Sequence, residues 1–257
     1  MNPTLLETSG LCIQIGGHRL CRDLNLRLQT GERYALLGAN GAGKTTLLHT
    51  LAGLRQPQAG RITLADRPLS QTSRKEIARA IGLLFQDAGD GFPSTVLETA
   101  LMGRHPHLDG WGWESGRDRD LALQALAQMD LLDLQHRDNR SLSGGERQRL
   151  ALATLLTQQP RIALLDEPAN HLDPGHQIRL LNRVLESTRT QNTALMMSLH
   201  DPNLALRFCD RALLLFEEGE WRAGPAGEVI TAAHLERLYG HPVQAVEQNG
   251  NVAFIPE

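Results

Sequence analysis

The stretch YALLGANGAGKTTLLHTLAGL, residues 34–54, constrains the fold of this chain more than any other. An apolar run stops at Gly38, a glycine-rich loop follows, and leucines then recur at helical spacing to the neighbourhood of Gly53. That order is strand, loop, helix. Inside it, Gly38-x4-Gly43-Lys44-Thr45 fits the phosphate-binding loop pattern in full. Glycines let the backbone wrap a polyphosphate with its N–H groups. Lys44 supplies a point charge to the outer phosphates, and the Thr45 hydroxyl suits Mg2+.

The rest of the chain is consistent with an α/β core. LCIQIGG and LCRDLNLRLQTG read as two early strands about a turn at Gly16-Gly17, with RITLADRPL and AIGLLFQ (80–86) as further strands. From 87 to 120 glycine, proline, histidine and tryptophan interrupt every pattern. Helices are expected at Thr95–Met102, at 120–132 (DLALQALAQMDLL) and from about Ser143. RIALLDEP (161–168) and TALMMSLH (193–200) are compact apolar runs, as expected for strands buried on both faces. HQIRLLNRVLEST and NLALRFCDR are expected helices, ALLLFEEGEW a strand and turn, TAAHLERLYG a helix, and PVQAVEQNGNVAFIP a hairpin about Asn249-Gly250. The domain expected is single: core 1–87 and 160–257, with a helical insertion near 88–159.

Length and composition narrow the function. With 257 residues the chain can bury a core without staples. A net charge of −3 leaves no general nucleic-acid footprint. Cys12, Cys21 and Cys209 are scattered, without metal spacing, and are expected as small buried residues in a reducing compartment. No signal-peptide pattern and no run of about 18 apolar residues occurs, so a cytosolic protein is expected.

A phosphate-binding loop needs an acidic partner for its metal. Asp166 ends the apolar run RIALLD, where that acid is expected, and Glu167 beside it suits a general base that polarises water. His200 also ends an apolar run and is a candidate γ-phosphate contact. A second anion site is written at SLSGGERQR (141–149). Ser143-x-x-Glu146 is a capping box, Gly144 and Gly145 leave first-turn N–H groups accessible, and the helix dipole favours an anion there.

Taken together these segments resemble the ATP-binding cassette (ABC) ATPases. The matching stretches run in family order: GANGAGKTT (38–46), Gln86 of LLFQ, LSGGERQR (142–149), IALLDEP, NHLD (170–173) and His200 of SLHD. The resemblance implies a RecA-like P-loop NTPase core, an N-terminal antiparallel β subdomain and an inserted α-helical subdomain. It also explains two anion sites in one chain: two copies pack head to tail, each ATP lying between the P-loop of one and the signature helix of the other. Nucleotide-binding residues implied are Gly38, Ala39, Asn40, Gly41, Ala42, Gly43, Lys44, Thr45 and Thr46, with Ser143, Gly144, Gly145 and Glu146 serving the partner's γ-phosphate. Thr45, Gln86 and Asp166 are the implied Mg2+ set. Glu167 resembles the catalytic base, His200 the switch histidine, Asp173 the aspartate that crosses the interface, and Gln86 the residue linking the helical lobe to the core. One position departs from the family: Ile15 stands where an aromatic residue usually stacks on adenine, and offers apolar contact without π-stacking.

MGRHPHL (102–108), NHLDPGHQIRLL (170–181), HDPNLALRFCDRALLL (200–215) and HLERLYGHPV (234–243) resemble ATPases of iron–siderophore, haem and cobalamin importers. That implies a peripheral subunit on the cytoplasmic face of a bacterial inner membrane. Its implied partners are a second copy and a polytopic permease, and indirectly a substrate-binding protein, without nucleic acid. The alternative is a soluble cassette acting on ribosomes or DNA, whose members carry tandem cassettes or long coiled-coil insertions. An unrelated P-loop kinase or GTPase would need neither LSGGE nor His200. His105 and His107 are expected in a surface loop rather than as metal ligands, and Trp111 and Trp113 to be partly buried. The segment Gln86 to Arg104 is expected to border the groove that receives the permease, with Arg104 available for contact.

Overall fold

A computed structural model describes residues 3–86, 93–109, 112–170, 172–248 and 250–257. Two compact units divide the chain: Met1–Thr72 with Ala194–Glu257, and Ser73–Thr193.

The first unit begins with an antiparallel pair, β1 (Thr4–Ile15) and β2 (His18–Gln29). The turn between them uses Gly16 and Gly17 at φ 54° and 88°, a region that glycine enters without steric cost. β3 (Arg33–Gly38) is buried at five of its six positions and leads through the P-loop into α1 (Lys44–Leu51). β4 (Ala59–Leu64) pairs with β1 and β5 (Arg67–Pro68) with β4, giving the order β2-β1-β4-β5.

The second unit is mostly helical. α2 (Arg74–Ala80) precedes β6 (Ile81–Leu84), and α3 (Val96–Leu101) runs into a 3-10 helix over Met102–His107. α4 (Gly116–Gln128), α5 (Gly144–Gln158), β7 (Ile162–Leu165) and α6 (Pro174–Thr190) follow. β6 and β7 are parallel, with Leu84 opposite Leu165. Among the described residues of 88–159 no strand occurs, and Leu126, Met129, Leu131 and Leu152 are fully buried there.

The chain then returns to the first unit. β8 (Ala194–Ser198) lies parallel to β3 on one side. After α7 (Pro202–Phe208), β9 (Arg211–Leu215) lies parallel to β3 on the other. β10 (Trp221–Pro225) closes antiparallel on β9. Leu36, Leu37, Met196, Met197, Leu213 and Leu214 have no exposed surface, the pattern of strands covered on both faces. α8 (Ala226–Val229), α9 (Ala232–Tyr239) and the hairpin β11 (Val243–Gln248) and β12 (Asn251–Pro256) complete it. Asn203 anchors the hairpin by accepting from Phe254 N at 2.7 Å and donating to Phe254 O at 3.1 Å. Asn249, at the expected turn, lies outside the described residues.

Several expectations need correction. α2 has no counterpart in the sequence reading; it buries no residue, so no apolar stripe announced it. α4 starts at Gly116 rather than 120, behind the capping box of Ser115 and Asp118, and ends at Gln128, because Asp130 adopts φ 51°. The segment around His105 and His107 is a 3-10 helix, and His107 Nε2 lies 2.9 Å from Gln158 O. Burial holds the His107 imidazole below its usual pKa. Trp113 is 91% exposed, in the irregular stretch before α4; Trp111 lies outside the described residues. Arg104 is buried, not available at a surface: Nε pairs with Asp118 at 2.7 Å and Nη1 donates to Thr157 O at 3.1 Å.

Candidate active site

In the first unit, Gly38 closes β3 and the loop turns on Gly41 and Gly43, at φ 81° and 91°. A Cβ at Gly43 would lie 2.6 Å from Leu20 Cδ1, and one at Gly38 would meet Ala42 Cβ at 3.0 Å. At Gly41 a Cβ would meet nothing within 4 Å. The loop therefore turns by left-handed backbone that side chains would strain, while its outer rim stays open. Lys44 is only 6% exposed, and its Nζ donates to Gly38 O at 2.8 Å and Ala39 O at 3.2 Å. The ammonium is thus held against the loop that is to receive phosphate. Gly43 caps α1 without any side-chain hydrogen bond of its own, so the cap residue brings no acceptor to the first-turn N–H groups. Thr45 and Thr46 open that helix, half-buried. This donor set fits a nucleoside polyphosphate: backbone N–H groups, one cation and hydroxyls, with no carboxylate in the loop.

Beside the loop is a cavity of about 690 Å³, lined among others by Arg19, Leu20, Asn40, Phe216 and Arg237. Arg237 lies 4.4 Å from the Phe216 ring centroid and pairs with Glu220. Leu20 as the wall of the P-loop has no signature in the sequence, because contact across strands leaves no local pattern. Ile15 ends β1 opposite His18 and is 40% exposed. His200 follows β8, exposed, and its carbonyl accepts from the Tyr239 hydroxyl at 3.1 Å. Burial first, then Asp201, pushes the Tyr239 phenol up to about 12.

The second unit holds the other named residues. Asp166 follows β7, fully buried, with its N–H donating to Leu84 O at 3.0 Å. Its neighbour Glu167 is half-buried and adopts φ 49°, left-handed and unusual for a residue with a side chain. Gln86 Nε2 donates to Glu167 Oε2 at 3.0 Å, so two predicted site residues meet directly. Asn170 Nδ2 donates to the same oxygen at 2.7 Å, and Gln148 Nε2 donates to Pro168 O at 2.9 Å. Neither Asn170 nor Gln148 was singled out from sequence.

Ser143 caps α5 with the full reciprocal box. Its N–H and Oγ both donate to Glu146 Oε2 at 2.7 Å, and Glu146 N donates back to Ser143 Oγ at 3.3 Å. These bonds, the side-chain one first, hold the Glu146 carboxyl below its usual pKa. Gly144 and Gly145 occupy the first turn with ordinary helical φ, and a Cβ at Gly144 would meet nothing within 4 Å. Asp173 caps α6 by accepting from His176 N at 2.9 Å and pairs with the His176 ring, contacts that lower its carboxyl pKa. His171 of the NHLD stretch lies outside the described residues.

Comparison with known proteins gives the family. A family model described as ABC transporter matches residues 21–170. A hemin import ATP-binding protein, HmuV, of Pseudomonas putida is 39% identical over 98% of this chain and 99% of its own. Its namesake in Burkholderia ambifaria is 40% identical over 89% of this chain and 90% of its own. Among solved structures, an inward-facing ABC transporter of metal-chelate type superposes with a TM-score of 0.86. It is 28% identical and covers 99% of this chain and 98% of that one. The chain belongs to the ABC transporter ATP-binding family and is an ATPase of that family, with the α/β cassette fold expected.

Proposed function

We propose that the chain is the ATP-hydrolysing subunit of a bacterial importer, working as a head-to-tail pair. Relatives named for hemin and cobalamin import support the direction and point to a metal-chelate cargo carried by other subunits. Among the described residues no helix is long and apolar enough to cross a membrane; in this reading a separate polytopic permease carries the cargo. We place the pair on the cytoplasmic face of the inner membrane, with residues 88–159 as the helical lobe that meets the permease.

The observation that carries the paired reading is the first turn of α5. Its two glycines answer no demand of the fold, yet they clear a helix start for an anion. In the pair, Gly38 to Thr46 wrap the polyphosphate and Lys44 neutralises it. Ser143, Gly144 and Gly145, positioned by Glu146, donate to the γ-phosphate held by the partner. Asp173 meets the partner, and Ile15 gives the base apolar contact without stacking. Mg2+, when bound through Thr45, Asp166 and Gln86, supplies charge neutralisation at the phosphates; these are hard oxygen donors, as that ion prefers. Glu167 orients and deprotonates water, and His200 contacts the γ-phosphate. Only a difference in affinity of the closed pair for ATP and ADP moves a permease through its cycle.

Glu167→Gln tests this most directly. With ATP it is expected to accumulate as a closed dimer, seen by light scattering, with nucleotide binding retained and turnover reduced to a slow residual rate. A monomer that hydrolyses ATP at the wild-type rate refutes the paired mechanism.

A further inference from the structure

The turn after β7 holds its glutamate more tightly than a surface carboxylate requires. Glu167 adopts φ 49°, and its carbonyl accepts from Asn170 N at 3.2 Å. The Asn170 side chain then closes the turn a second time, donating to Glu167 Oε2 at 2.7 Å. Gln86 reaches the same oxygen at 3.0 Å but stands exposed, whereas the Asn170 contact is partly buried. Pro168 and Ala169 between them are buried, and Gln148 of α5 grips the Pro168 carbonyl at 2.9 Å. A left-handed residue with a side chain persists when its surroundings over-determine it, and such positions gather at functional sites. Here the surroundings are named. The turn fixes the glutamate backbone and Asn170 fixes its side chain.

We propose that Asn170 is a positioning residue for ATP hydrolysis: its side-chain amide sets the rotamer of Glu167 and hence the direction in which that carboxylate meets water. The proposal rests on the assignment of Glu167 as base. The chemistry demands a donor at this position. A carboxylate accepts an N–H bond strongly, and asparagine three residues on reaches it without leaving the turn. Aspartate of the same shape would offer only acceptors and a like charge. Bulk at this site is therefore separable from the amide.

The test uses the full chain carrying Asn170→Ala or Asn170→Asp, each measured for kcat, KM, affinity for a non-hydrolysable ATP analogue, and melting temperature. Asn170→Ala is expected to lower kcat about tenfold, the scale of one lost charge-assisted hydrogen bond, with KM and analogue affinity within about twofold. Asn170→Asp is expected to lose at least as much, although it is isosteric. In a Glu167→Gln background, Asn170→Ala is expected to add no further loss to the residual single-turnover rate, because it acts through Glu167. Wild-type kcat in Asn170→Asp, a loss confined to KM or melting temperature, or a multiplying loss in the double variant each overturns the proposal. Rapid turnover by Glu167→Gln overturns the base assignment and this proposal with it. An inactive Glu167→Gln beside an unimpaired Asn170→Asp overturns the role of Asn170 alone.

Discussion

The two glycine-bearing turns proposed as anion sites are written in similar letters in the sequence but are built differently. In the P-loop, Gly43 sits at φ 91° and has Leu20 where a Cβ would go. In α5, Gly144 and Gly145 have ordinary helical backbone; a Cβ on the first would meet open space, and one on the second would rest 3.7 Å from Leu172 Cδ2. The P-loop glycines are demanded from within by the path of the chain. The α5 glycines cost helix propensity, about 1 kcal/mol each against alanine in a helix interior. Among the described residues, no close contact that a Cβ would violate repays that. The difference fits the proposal that the α5 turn serves a ligand or chain approaching its backbone closely.

Removing the cation of the first site has the largest expected effect. Lys44 is buried against two loop carbonyls, and its proposed role is to meet phosphate. Lys44→Ala is expected to weaken ATP binding by about 2–5 kcal/mol, the scale of truncating one partner of a buried charge pair. Calorimetry with an ATP analogue checks this. Unchanged affinity would mean that the loop binds nucleotide through its backbone alone, and the two sites would then differ less than claimed.

A smaller effect tests whether the second site stands on a rigid helix. Arg104 donates to Thr157 O at the far end of α5 and pairs with Asp118 at the start of α4. The Ser115 hydroxyl, its backbone N–H and then Arg104 bring the Asp118 carboxyl from 3.8 down to about 2. A depressed carboxylate stabilises the fold above its unfolded pKa, and that contribution is lost as pH falls through the folded value. That contribution is therefore present above roughly pH 4 and disappears toward pH 2. Urea unfolding of wild type and Asp118→Asn is expected to show the gap between them narrowing as pH falls from 6 to 2. A constant gap would mean that the Ser115 and Arg104 contacts of Asp118 do not brace the fold.

What the sequence disclosed and what it withheld separate along the same line. Gly38 to Thr46, Ser143 to Glu146, Asp166 and Glu167 could be proposed from sequence because each lies in a short run whose chemistry depends on spacing along the chain. The strands were legible because full burial leaves unbroken apolar runs such as IALL and ALMMS. Leu20 against Gly43, Arg104 inside rather than outside, and Asn170 on Glu167 were not. Each depends on a contact or backbone angle that no neighbouring residue encodes. α2 was withheld for a different reason: its signal was the Ser73–Glu76 capping box, and helices with no buried face have no periodicity to read. The exposed indole of Trp113 shows the converse, since a large apolar residue near glycines is no evidence of a covered site.

The smallest changes bear most directly on the contrast between the sites: one methyl group at each. Gly43→Ala forces a side chain into left-handed backbone, costing about 1–2 kcal/mol before the collision with Leu20 is counted. A lower melting temperature is expected. Gly144→Ala adds its methyl in open space on a helix, where it is expected to stabilise by about 0.5–1 kcal/mol. Yet ATP hydrolysis by the paired protein is expected to fall about tenfold, because the methyl stands where an approaching γ-phosphate must come close. A variant that is more stable and less active separates a glycine kept for function from one kept for folding. If Gly144→Ala were stable and fully active, the α5 turn would be a capped helix and nothing more. The reason for a second anion site in this chain would then have to be sought elsewhere.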